Sequence, residues 1–198
     1  RGSSRPARVE LNGQRIDGAE RLSRKPGSSL VMVGNFDGVH SGHRWVLEHG
    51  IQAAAAAGLA PLVLTFHPHP SEVLGRGTLP VLTPLERKVD LLARLSPRLE
   101  VVVEPFTREL AAASPDQFAS QLLCAALGAR QVIVGANFRF GRGRSGDFAT
   151  LRELGAALGF EARAEALHTD DAGVISSTRI RELISTGAVG AAEALLGR

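Results

Sequence analysis

Leu30-Val31-Met32-Val33-Gly34-Asn35-Phe36-Asp37-Gly38-Val39-His40-Ser41-Gly42-His43 is the stretch that decides the fold. Its apolar start, 30–33, reads as a short buried strand that stops at Gly34. An Ala-rich segment, 45–57, comes next and reads as a helix ending at Gly58. The turn 34–43 therefore joins a strand to a helix. Gly34, Gly38 and Gly42 let its backbone approach a ligand closely and adopt positive φ. His40 and His43 stand three apart at the helix start, so they share a face. A helix N-terminus offers free N–H groups and a partial positive charge, which suits phosphate. Two imidazoles there can donate hydrogen bonds to phosphate oxygens, more strongly when protonated. A tight turn without function and a metal site are the competing readings, although no third ligand stands at a convincing spacing. Neither the P-loop pattern nor Gly-x-Gly-x-x-Gly occurs in this turn, which argues against a P-loop kinase and a dinucleotide-binding dehydrogenase.

Outward from the turn, strands and helices alternate. Segments 62–66, 99–103 and 131–134 read as further buried strands, and 161–167 as a weaker one. Helices are expected over 83–95, with Thr83 as N-cap and Pro84 at the first helical position, and over 114–127, 147–158 and 177–186. A short Ala-rich helix finishes the chain. Such alternation predicts an α/β domain, an open doubly wound parallel sheet of Rossmann-like form. The near-continuous apolar strands agree, because such sheets are covered on both faces. Ligands in these folds bind beyond the carboxyl ends of the strands. The unusual segments 34–43, 67–70 and 135–147 all come directly after expected strands.

Composition limits the function classes. The chain has 198 residues and is 44% apolar, enough to bury a core without a disulfide or metal staple. Cys124 lies in an apolar run and reads as core packing. No apolar stretch approaches ~18 residues, so no membrane span is expected. With no signal peptide visible, a cytoplasmic enzyme is the default. The net charge is +3, and much of the basic excess lies in residues 1–30. There is one Trp, no Tyr and no basic stripe with interleaved aromatics, so nucleic acid is not an expected partner. The chain starts at Arg1 and not Met, so its first residues read as an artefact of expression or processing.

Three further segments carry chemistry. In Ser176-Ser177-Thr178-Arg179-Ile180-Arg181, the hydroxyls suit a helix cap. The arginines oppose the dipole at that end, which makes sense when an anion such as a nucleoside triphosphate compensates them. In the Gly- and Arg-rich segment 135–147, Phe138 and Phe140 can form a platform for a planar ligand or simply anchor the loop. Thr65-Phe66-His67-Pro68-His69-Pro70 is a rigid loop with two imidazoles at a strand end, and a segment like this alone is more often structural than catalytic.

Together the four segments resemble the adenylyltransferase domain of bacterial FAD synthetase, the N-terminal half of the bifunctional riboflavin kinase/FMN adenylyltransferase. The pattern Gly-x-Phe-Asp-Gly-Val-His-x-Gly-His is met at 34–43, and Thr-Phe-x-Pro-His-Pro at 65–70. Gly-x-x-Phe-x-Phe-Gly is met at 135–141 and Ser-Ser-Thr-x-Ile-Arg at 176–181, in matching order over roughly 28–198. The resemblance implies transfer of AMP from ATP to FMN, giving FAD and pyrophosphate, with Mg²⁺. It implies that His40, His43 and Arg181 serve catalysis. Gly34, Asn35, Phe36, Asp37, Gly42, Ser177, Thr178 and Arg179 would bind ATP, and His69, Pro70, Asn137, Phe138 and Phe140 would bind the flavin or lie near the metal. No metal ligands are assigned, and the oligomeric state stays open. Alternatives are nucleotidyl transfer to another small phosphate or a flavin analogue, and a flavin- or nucleotide-binding module without turnover. Two departures stand out. No segment resembles the kinase domain that usually continues the chain, so kinase activity is expected to be absent, and residues 1–27 form a basic segment outside the domain with no assigned role.

Overall fold

The computed structural model describes residues 15–22, 24–75 and 79–198. Its elements run β1 (Arg15–Asp17), β2 (Ser29–Val33), α1 (Ser41–Ala57), β3 (Ala60–His67), α2 (Pro70–Val73), α3 (Leu85–Ala93), β4 (Glu100–Pro105) and α4 (Arg108–Ala112). They continue with α5 (Pro115–Gln117), which runs on as a wider π-helical stretch, Phe118–Ala126, and then β5 (Ala129–Gly135). The chain closes with α6 (Phe148–Leu158), β6 (Glu161–Glu165), β7 (Thr169–Asp170), β8 (Gly173–Val174), α7 (Ser177–Ser185) and α8 (Val189–Leu196). Strands β1 to β6 form one sheet in the order β1-β4-β3-β2-β5-β6, and every pairing is parallel. The expected open parallel α/β sheet is what forms.

Alternating residues of the central strands serve two cores, as the period-2 pleat requires. Val31, Val33, Leu62, Leu64, Val132 and Val134 face Phe118, Leu122, Leu123 and Leu151. Leu30, Met32, Val63, Val101 and Ile133 face Leu47 and Ala54 of α1 and Val89 and Leu92 of α3. Gly50 is what lets α1 settle on the sheet, because a Cβ there would stand 2.3 Å from the Met32 sulfur. A third cluster, Ile175, Ile180, Ala192 and Leu195, joins α7 to α8. The chain crosses over at β2, with β3 and β4 on one side and β5 and β6 on the other. This is the switch point where a crevice opens at the carboxyl ends of such sheets.

Several boundaries differ from the sequence reading. That reading places the basic segment 1–27 outside the domain. Residues 1–14 lie outside the described residues, but Arg15–Asp17 pairs with Val101–Val103 as the sheet's edge strand. Thr83 does not cap α3. Its buried N–H donates to Asp37, and the helix begins two residues later, with Pro84 in the cap position. The loop expected at 67–70 leads into α2, capped by the His69 ring, which accepts the Ser71 N–H, and by the Glu72 carboxylate, which accepts the His69 N–H. The weak strand ends at Glu165 and not at Leu167, and the β7–β8 hairpin comes next in the chain.

Candidate active site

A cavity of about 670 Å³ opens at the carboxyl ends of β2, β3, β5 and β6. Its volume falls in the range of small-molecule sites. A second cavity of about 420 Å³, lined by Gly27, Cys124, Ala129 and Gly159 among others, lies where strands begin and gathers none of the expected chemistry.

The turn after β2 forms the floor of the larger cavity. Only Gly38 of its three glycines has positive φ, at 89°. Gly34 and Gly42 serve close approach instead: a Cβ on Gly34 would stand 2.9 Å from the Phe36 ring, and one on Gly42 would stand 3.3 Å from the His40 ring. The left-handed conformations fall on Phe36, at φ 49°, and Val39, at φ 41°, both buried. Non-glycine residues hold such angles only where the surroundings impose them, and that is common in ligand sites.

His40 caps α1: its Nδ1 accepts the His43 N–H at 3.2 Å. That bond requires Nδ1 to be unprotonated, so the neutral ring carries its proton on Nε2. The two imidazoles stack with centroids 3.5 Å apart and planes 18° apart, and Phe36 meets His43 edge-on at 5.3 Å. Burial and the nearby Arg44 guanidinium push His40 down to about 4, against the pull of Asp37. Burial, then His40, then the Lys88 ammonium, hold His43 well below the ordinary histidine value. The pair is therefore neutral at physiological pH, and the stronger, protonated donors considered from sequence are not what this site offers.

Asp37 ties the turn to the C-terminal helices. Its carboxylate accepts the N–H groups of Leu82 at 3.1 Å and Thr83 at 3.0 Å, and pairs with the Arg181 guanidinium. The Ser177 hydroxyl donates to the Asp37 carbonyl at 2.8 Å, so the α7 cap falls to Ser176, whose Oγ accepts the Arg179 N–H at 3.2 Å. Arg181 also donates from Nε to the Pro80 carbonyl at 2.7 Å, and its guanidinium keeps further N–H groups for a ligand. Arg179 turns away and binds both carboxylate oxygens of Asp170 in the β7–β8 hairpin, at 2.7 and 3.0 Å.

The opposite walls are aromatic and imidazole. Phe138 and Phe140 stack at 5.4 Å and 14°, with the inner ring of Phe140 buried against Phe118. His69 caps α2 by accepting the Ser71 N–H on Nδ1 at 3.2 Å, and burial lowers its pKa.

Every residue expected from sequence lines the cavity except Arg179: Gly34, Asn35, Phe36, Asp37, His40, Gly42, His43, His69, Pro70, Asn137, Phe138, Phe140, Ser177, Thr178 and Arg181 do so. Among the described residues no group of three or more His, Cys, Asp or Glu side chains could hold a metal ion.

The geometry and the four segments coincide with a family match: residues 22–179 fit the FAD synthetase family model. The chain belongs to the FAD synthetase family. The bifunctional riboflavin kinase/FMN adenylyltransferase of Escherichia coli (strain K12) is 35% identical over 184 residues, 92% of this chain and 58% of that protein. Its Bacillus subtilis (strain 168) counterpart is 36% identical over 180 residues, 89% of this chain and 56% of that protein. The chain thus spans a little over half the length of these relatives. A crystal structure described as a macrolide-efflux protein from Streptococcus pneumoniae shares the fold, with a TM-score of 0.79 at 24% identity over 93% of this chain and 60% of that one.

This FAD synthetase domain holds two cavity features that sequence reasoning passed over. Glu165 and His168 line its rim, the latter stacked 5.8 Å from Trp45. Lys88 sits beneath the floor, on the apolar stripe Leu85, Lys88, Val89 and Leu92 of α3. A lysine at a core-facing position of an amphipathic helix was the signal that could have found it. No helix among the described residues is long and apolar enough to cross a membrane.

Proposed function

We propose that this chain transfers AMP from ATP to FMN, giving FAD and pyrophosphate. One observation carries the reading: neutral stacked imidazoles at a helix N-terminus, a partly engaged arginine and an aromatic wall converge on one cavity. An FMN phosphate oxygen attacks the α-phosphorus of ATP. A phosphorus–oxygen bond forms there, the bond from the α-phosphorus to the bridging oxygen breaks, and pyrophosphate leaves with the electron pair. No covalent intermediate is needed, so catalysis lies in positioning and in neutralising charge. The His40 Nε2–H, the His43 ring and the α1 N-terminus face the reacting phosphoryl group. Asn35, Phe36, Asp37, Gly34 and Gly42 shape the ATP side. Ser177, Thr178 and Arg181 take the β- and γ-phosphates, with Arg181 held in place by Asp37. Asn137, Phe138, Phe140, His69 and Pro70 form the flavin side. Mg²⁺ enters on the triphosphate, since this ion is commonly carried by substrate phosphates and one or two protein groups.

Incubation with ATP, Mg²⁺ and FMN, followed by chromatography, tests this: FAD is expected. Turnover of a different small phosphate with no FAD would refute it. Riboflavin and ATP are expected to give no FMN over these 198 residues, and FMN production would contradict that part.

A further inference from the structure

Lys88 is a buried ammonium for which the chemistry above has no use. It is 7% exposed, on the core-facing stripe of α3. Its Nζ donates to the Asn35 carbonyl at 3.1 Å, the Thr65 hydroxyl at 3.1 Å and the Phe66 carbonyl at 3.4 Å. An ammonium has three hydrogens and no acceptor, so this set satisfies it fully. The Thr65 hydroxyl in turn donates to the same Asn35 carbonyl at 3.0 Å. All three partners are neutral, and the nearby Asp37 carboxylate is bonded to Arg181, Leu82 and Thr83 instead.

Stability does not explain this arrangement. Taking a cation out of water is costly, and a well-packed apolar side chain in its place is commonly neutral or stabilising. Met would suit the stripe that Leu85, Val89 and Leu92 already form.

What the ammonium joins suggests its purpose. Asn35 precedes Phe36, the first left-handed residue of the turn, so fixing the Asn35 carbonyl fixes the peptide that enters that conformation. Phe66 leads into the His67-Pro68-His69-Pro70 wall. One side chain thus clips the phosphate-side floor to the flavin-side wall across the end of β3. The titratable and charged groups around it are Asp37 in the turn, His43 at the start of α1 and His69 at the start of α2, while β3 presents Thr65. Its charge helps hold both imidazoles in their neutral, donor-competent form.

We propose that Lys88 is a positioning residue for adenylyl transfer, pinning the Asn35–Phe36 turn to the end of β3 so that both halves of the cavity keep their relative geometry. The proposal rests on the FMN adenylyl-transfer reading. Misplacement by about 1 Å can cost on the order of 10²-fold in rate, and this sets the expected scale.

The test compares wild type, Lys88→Met, Lys88→Arg and Thr65→Val in FAD formation and thermal unfolding. Wild type comes first, since no FAD from it would refute the activity reading and not the role of Lys88. Lys88→Met is expected to lose about 10²-fold in kcat with Tm unchanged or raised. Lys88→Arg keeps charge and donors in a tighter fit, so it is expected to be less stable yet to hold kcat within about tenfold of wild type. Turnover and stability then rank in opposite orders. A kcat for Lys88→Met within about threefold of wild type, or losses that track Tm across the set, would overturn the proposal.

Thr65→Val carries the test if Lys88→Met does not fold. It removes one acceptor and should lower kcat by about tenfold, and an unchanged kcat would overturn the proposal. Burial lowers Lys88 to about 8, with Asp37 opposing. Wild-type kcat should therefore fall as pH rises through that value, and this limb should vanish in Lys88→Arg. A limb identical in both proteins would contradict the assignment.

Discussion

Two helix starts in this molecule each carry a pair of basic side chains, and they use them in opposite ways. At α1, His40 and His43 stand three residues apart, stack on one another and line the cavity. At α7, Arg179 and Arg181 stand two apart, and only Arg181 lines it. Capping and spacing together account for the difference: His40 is the extended cap residue of α1, and the bond from the His43 N–H to its Nδ1 holds its ring beside His43. At about 100° per residue, three steps bring side chains back to one face and two steps send them to opposite faces. The internal carboxylates complete the contrast: Asp170 takes Arg179, Asp37 takes Arg181, and neither histidine has a bonded acid. Excess positive charge at a helix start therefore did not require a bound anion at both arginines.

The largest expected effect lies at α1. His43→Ala should lower kcat by about 10²-fold or more, the scale of losing one transition-state donor, with a smaller change in FMN affinity. Steady-state rates with each substrate varied would show it, and an unchanged rate would reduce the stacked pair to a structural cap. Arg181→Ala should come next, with kcat/KM for ATP falling by about tenfold or more and FMN affinity changing less. A loss confined to FMN would place α7 on the wrong side of the cavity.

The histidine pair also predicts a pH dependence of stability. Folding lowers the His40 pKa from 6.5 to about 4, so the unfolded chain binds more protons between those values. Stability should be fully present above about 6.5 and fall as pH drops towards 4. Denaturant unfolding across this window should show a shallower slope in His40→Gln, and equal slopes would contradict the neutral, buried assignment. The smallest effect belongs to Arg179→Ala. It should change kcat/KM by less than about threefold, because the side chain is spent on an exposed pair with Asp170. A loss as large as that of Arg181→Ala would restore Arg179 to the site.

Most of the sheet, and the convergence on one cavity of every expected site residue but Arg179, were legible because each depended on local pattern. Apolar runs such as 30–33 and 131–134 end where the chain leaves the sheet, and the loops after them carry the site. What stayed hidden was set by contacts distant in sequence. Arg15–Asp17 has a single apolar residue, and its pairing with Val101–Val103 makes it a strand. Thr83 has the right chemistry for a cap, yet its hydroxyl accepts from Arg198, 115 positions away, and its N–H donates to Asp37. Helical spacing could have separated Arg179 from Arg181, but the acid each one meets comes from elsewhere in the chain. Lys88 showed itself only as a charge on an apolar stripe, without the carbonyls that hold it.

Isotope tracing tests the central claim most directly. With FMN and ATP labelled at the α-phosphate, the account predicts label in FAD, whereas label at the γ-phosphate should appear only in pyrophosphate. Loss of both transfers in His43→Ala, with FMN still bound, would place the chemistry at the α1 turn. Label from the γ-phosphate in a flavin product, or α-label transferred at the wild-type rate by His43→Ala, would contradict it.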